Sequence, residues 1–141
     1  MHLADLRALW GVFLTISGIF LPWHAYRHMY QVPGAFHTRV VELVTGRVPG
    51  YLSISGLTVA GLALVVALVI LWPRSDVARV AGRAGALLAA SLATAVLTIG
   101  GIVPVFAGIT GAEPHVGLGV TAVGCLLMLL STRSSWRLLS E

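Results

Sequence analysis

No residue between Tyr51 and Trp72 carries a charge, and the stretch from Ala84 to Gly108 is uncharged as well. A helix needs roughly 20 mostly apolar residues to cross the hydrocarbon core of a bilayer. Both stretches meet that length, so both are expected to be membrane-spanning helices. Two shorter runs add to them. Ala8–Trp23 (ALWGVFLTISGIFLPW) lengthens past Pro22, and Val116–Ser131 grows in both directions. Pro114 suits a first helical position, where its missing N–H costs nothing. Arg133 and Arg137 can lift their charges toward headgroups while the helix continues. The expected fold is therefore all-α: one integral membrane four-helix bundle over residues 1–141, with spans at about 8–23, 51–72, 84–108 and 114–133.

Composition agrees. The chain is 57% hydrophobic and 10% charged, which leaves too few polar groups to cover the surface of a soluble domain. Its mean hydropathy of +0.93 excludes a disordered chain. Nine Arg against five acids give +4, but the arginines are scattered rather than striped, so no nucleic-acid partner is expected. A single cysteine, Cys125, excludes a disulfide scaffold. The residues after the first run, Leu21-Pro22-Trp23-His24-Ala25-Tyr26, lack a small-x-small cleavage pattern. The first run thus reads as a retained anchor rather than a signal peptide.

Arginine placement orients the spans. In a four-span arrangement Arg7, Arg74, Arg79, Arg83, Arg133 and Arg137 fall on one side, and Arg27, Arg39 and Arg47 on the other. The positive-inside rule puts the richer side, with both termini, in the cytoplasm, and the chain in the plasma (inner) membrane. Trp10, Trp72 and Trp136 then sit near the inner boundary, and Trp23, Tyr26, Tyr30 and Tyr51 near the outer one, as interfacial aromatics prefer.

Lipid tails are as apolar as Leu, so helices associate through close backbone approach and interhelical hydrogen bonds. The third span offers small residues every four positions, Gly82, Ala86, Ala90, Thr94 and Thr98, beside a second row of Gly85, Ala89 and Ala93. It is the expected centre of the bundle, and Gly82, Ala86, Ala90 and Thr94 are its candidate packing or partner surface. Gly11, Thr15 and Gly18 on the first span, Gly56 and Ala60 on the second, and Gly117, Thr121 and Cys125 on the fourth make matching stripes. Pro104, after Gly100 and Gly101, is expected to loosen the outer end of the third span. No Asp, Glu, Lys, Arg or His falls inside the four apolar cores, whereas transporters carry ionisable groups at that depth.

The longest connection, residues 24–50, holds Val-Pro-Gly twice, at Val32-Pro33-Gly34 and Val48-Pro49-Gly50. Pro followed by Gly fits a type II turn. Between the two corners Phe36, Val40, Leu43 and Val44 follow helical spacing, and Gly46 suits the residue past a helix end. A short amphipathic helix is favoured there, with a strand as the alternative that the β-branched residues allow. Phe36 and Val40 would meet the bundle or a partner.

Four of the five histidines, His24, His28, His37 and His115, fall on the outer side. His24 and His28 share a face if the first helix continues past Pro22. His115 sits in the first turn of the last span, where the helix dipole favours the neutral, metal-binding imidazole. With Glu42 and Glu113 nearby in sequence, these histidines are candidate ligands for a metal. His24, His28 and His115 are also candidates for a haem or chlorophyll-type pigment. The spacing is not that of HExxH or CxxC, and absence of any cofactor is the favoured expectation.

Leu21-Pro22-Trp23 closing the first span, the Arg-rich turn at residues 73–83 and Val116-Gly117-Leu118-Gly119 opening the last span together carry a resemblance. The chain resembles the small four-span membrane proteins of high-GC bacteria and archaea. That resemblance covers nearly the whole chain; it implies a helical membrane domain and no catalytic residues. The expected function is a non-enzymatic accessory subunit of a larger membrane complex, respiratory or photosynthetic in type, contacting other membrane subunits and lipids. The alternatives are histidine-based metal or pigment binding, and a small transporter or lipid-handling protein.

Overall fold

The computed structural model describes residues 3–31, 40–72, 76–106 and 113–140. Four helices among them are long and apolar enough to cross a membrane, at Leu3–Phe20, Ile54–Leu71, Val80–Ile102 and Val116–Arg137. The elements run α1 (Leu3–Phe20), β1 (Pro22–Gln31), β2 (Val40–Pro49), α2 (Ile54–Leu71), α3 (Asp76–Leu97), a short α4 (Val103–Phe106), β3 (Glu113–Pro114) and α5 (Val116–Ser140).

The first helix ends earlier than the sequence suggests. A residue before proline is pushed out of the helical region, and Leu21 closes α1 with a bond from its N–H to Gly18 O at 3.3 Å. The chain then enters β1 at Pro22 instead of continuing the helix. α1 recovers its length at the other end, beginning at Leu3 rather than Ala8.

Two strands, Pro22–Gln31 and Val40–Pro49, are described in the connection between α1 and α2, and residues 32–39 lie outside the described residues. Val40–Pro49 is extended and pairs antiparallel with Pro22–Gln31, with Tyr26 opposite Gly46 and Gln31 opposite Val40. Valines 40, 41, 44 and 48 and Thr45 explain the outcome, since β-branched side chains favour strands over helices. A two-residue β3 pairs with the other edge of β1, giving the order β2-β1-β3. The molecule is thus predominantly helical, as the four apolar runs lead one to expect, with a small sheet at one end among the described residues. Phe36, His37 and Arg39 lie outside the described residues.

Pro49 ends β2, a 3-10 turn follows at Gly50–Leu52, and Ser53 caps α2 by accepting from Gly56 N at 3.0 Å. At the far end of α3, Thr98–Ile102 forms a π-helical turn in which Val103 N bonds to Thr98 O. Pro104 has no N–H for the Gly100 carbonyl, and a widened turn is the usual accommodation. This is the loosening that the Gly-Gly-x-x-Pro pattern implies.

The bundle is closest between α1 and α5. A Cβ added at Gly124 would lie 2.5 Å from Thr15 N and 2.8 Å from Gly11 O, and one at Gly11 would lie 2.6 Å from Met128 N. Gly117 approaches the Leu21 and Pro22 carbonyls as tightly. The two backbones touch, which only glycine permits here. α3 contributes the fully buried Ala86, Ala90 and Ala93, and α2 contributes Val59, Ala63 and Val66. The α1–α5 pair, rather than α3, is the tightest seam. Large apolar residues such as Phe13, Leu57, Leu68, Leu88, Leu92 and Leu126 point outward.

Candidate functional site

At the end of the bundle that holds both chain termini, three helices meet around one carboxylate. Asp5 of α1 and Arg83 of α3 form a two-pronged pair, Oδ1 to Nη1 at 2.8 Å and Oδ2 to Nη2 at 2.9 Å. Ser135 of α5 donates to Asp5 Oδ1 at 3.2 Å. The Asp5 side chain is 7% exposed and that of Arg83 12%. Planar guanidinium matches carboxylate in this fork, and the added hydroxyl fills a further lone pair, which is what a buried charge requires. These groups lie within the first and third spans but near their ends, in the third and fourth residues respectively. One local signal for this pair is present: an acid in the first turn of a span whose other residues are almost all uncharged. The partner across 78 positions left no local trace.

Beside this pair, α3 and α5 bound a groove of about 370 Å³ lined by Leu87, Ser91, Leu129, Leu130, Arg133, Trp136 and Arg137. Arg133 and Arg137 are exposed and four apart on one helix, so they share a face. Trp136 is half-buried in the wall, and Ser91 Oγ is turned back onto Leu87 O at 2.8 Å.

The opposite end is closed by Trp23. Its sequence position suggests a headgroup-facing aromatic, yet it is 1% exposed. The indole N–H donates to Gly18 O and to Thr121 Oγ1, both at 3.1 Å. The ring lies against Gly50, where an added Cβ would come within 2.5 Å of Nε1. Trp23 also anchors the sheet, because its carbonyl accepts from His115 N at 2.9 Å. Trp10 and Trp72, by contrast, are exposed.

The candidate histidines separate. His24 and His28 lie on β1 and not on a helix, so four residues carry them about 13 Å apart along the strand. The backbone places His24 opposite Pro114, one residue from His115. The Nδ1 of His115 is buried without a hydrogen-bond partner. Among the described residues no three His, Cys, Asp or Glu side chains group as a metal site would need. Of the candidate packing residues, Gly82, Ala86 and Ala90 are buried, and Thr94 is half-buried with its hydroxyl on Ala90 O at 2.9 Å. Val40 opens β2.

No family model, no curated protein and no solved structure matches the chain.

Proposed function

We propose that this protein is a non-catalytic accessory subunit of a larger membrane complex, of respiratory or photosynthetic type, embedded in the plasma membrane with both termini in the cytoplasm. The observation that carries the proposal is the sheet. β2 runs for ten residues at an edge of the order β2-β1-β3 and, among the described residues, pairs on one side only, with β1. A long edge strand offers a row of backbone donors and acceptors to another chain, and strand addition is a common way for proteins to join. The sheet is set on a rigid base, since Trp23 ties β1 to both α1 and α5. The helices beneath are packed backbone to backbone, which suits a support.

Solubilisation in a mild detergent after crosslinking tests this. A photo-crosslinking residue at Val41 or Leu43 should give a discrete higher-mass adduct in cells, and one at the outward Leu64 a weaker or different one. A protein that stays monomeric from both β2 positions would overturn the proposal.

A second reading rests on the unpartnered Nδ1 of His115 next to the His24 backbone. There His115 would ligate a metal or a tetrapyrrole, and elemental analysis with an absorption spectrum of the purified protein decides it. A metal-free, colourless preparation that takes up neither added zinc nor haem removes it.

A further inference from the structure

We infer that the groove between α3 and α5 is a binding site for one anionic phospholipid. Its phosphate would sit at Arg133 and Arg137, and its upper acyl chain would lie along Leu87, Leu129 and Leu130. Three features of the groove point to that occupant. The first is depth: Arg133 is 17 residues beyond Val116, about 25 Å along α5 against a hydrocarbon core of about 30 Å, so its long side chain need reach only a few ångströms further to bring the guanidinium to the headgroups. The second is charge. Arg133 and Arg137, exposed and four apart on one face of α5, bring two guanidinium groups to the groove, and planar forks of this kind match a phosphate.

The third feature is the mixed wall. Leucines line the groove below the arginines, Trp136 stands at the boundary, and the outward Leu88, Leu92 and Leu126 on the same two helices continue the apolar surface. A free phosphate has no use for such a wall, and an uncharged lipid has none for the arginine pair. At about 370 Å³ the groove suits the glycerophosphate part of a lipid with its chains running on into the bilayer. The inference depends on the membrane placement of the helices and not on the existence of a partner subunit.

The test uses the purified full chain in non-ionic detergent. It is titrated with dioleoyl phosphatidylglycerol, dioleoyl phosphatidylcholine or inorganic phosphate, and read by native mass spectrometry and thermal unfolding. One phosphatidylglycerol should stay bound and raise the unfolding temperature, while phosphatidylcholine binds more weakly and phosphate gives no shift. Each arginine near an anionic headgroup accounts for about fivefold in affinity, so Arg133→Gln should weaken phosphatidylglycerol roughly fivefold and the double variant with Arg137→Gln about 25-fold. Arg7→Gln, an exposed arginine at the same end but outside the groove, should leave binding unchanged. Equal retention of the two lipids, an equal loss in Arg7→Gln, or a full shift from phosphate alone would overturn the site. Arg133→Gln alone carries the same comparison if the double variant does not accumulate. A chain that proves partnerless yet keeps phosphatidylglycerol would sink the proposed subunit role and leave this site standing.

Discussion

Two side chains decide more of this structure than their abundance suggests. Asp5 and Arg83 are taken out of water together, and each is tolerated only because the other is there. Removing one partner of a buried ion pair commonly costs about 3–5 kcal/mol, while replacing both with matched apolar groups is often neutral or stabilising. Asp5→Asn or Arg83→Gln should therefore lower the unfolding temperature in detergent by several degrees, and Asp5→Leu with Arg83→Met should recover most of the loss. A double variant as unstable as the sum of the singles would show that the pair is not the unit. Trp23 acts by a similar logic with one donor and two acceptors. Trp23→Phe keeps most of the packing but leaves Gly18 O and Thr121 Oγ1 without the indole N–H, a loss of about 1–3 kcal/mol for buried polar groups. Asp5 was legible only as a lone acid at the start of an apolar run, and the role of Trp23 was not legible at all. A Trp next to Pro at the end of an apolar run reads as an interfacial aromatic, and only the return of α5 and Gly50 onto the ring makes it a core residue.

The helices were legible as elements because their signal is local: a charge-free run of spanning length needs no knowledge of its neighbours. Their ends were harder. At Pro22 an apolar run suggested continuation, while the stiff backbone before proline and the β-branched partner at 40–49 favoured strands whose paired residues stand 9 to 27 positions apart. The choice of seam was also half visible. Gly11, Thr15, Gly18, Gly117, Thr121 and Cys125 stood out as smooth stripes, but which stripe meets which depends on all four helices at once. Glycine spacing alone cannot distinguish a contact from a gap, and the structure does. Gly11 and Gly124 face backbone across the α1–α5 seam, whereas Gly61 and Gly85 have nothing within 4 Å of an added Cβ. Gly124→Val should prise α1 from α5 and abolish the folded monomer peak on size exclusion. Gly61→Ala and Gly85→Ala should be neutral or raise stability by about 0.5–1 kcal/mol, through the lower helix propensity of glycine. Destabilisation by Gly85→Ala would mean that its open face is covered.

At the scale of the whole molecule the two ends differ in kind. One end gathers the start of α1, the start of α3 and the end of α5 around Asp5, Arg83 and Ser135, with Arg133 and Arg137 alongside. The other end carries the sheet, with Arg27 opposite Thr45 and Arg47 opposite Ala25. If all four candidate spans cross a membrane in turn, both chain ends fall on one side of it. In the four-span reading of the sequence six of the nine arginines fall on the side of the termini, and because arginines close to span ends resist transfer, that side is the one proposed to be cytoplasmic. The expected outcome is that a reporter active only in the cytoplasm works when fused at either terminus. A protease or thiol reagent added to intact cells should in turn reach an insertion between β1 and β2. Substituting Gln for Arg74, Arg79 and Arg83 together leaves three basic residues on each side and should give a mixed population, with some chains inverted. Arg83→Gln alone, which breaks the pair but leaves a majority of arginines in place, should lose stability without changing orientation. That contrast separates the two duties of one residue: insertion is governed by counted charge, and folding by the carboxylate that a single guanidinium meets.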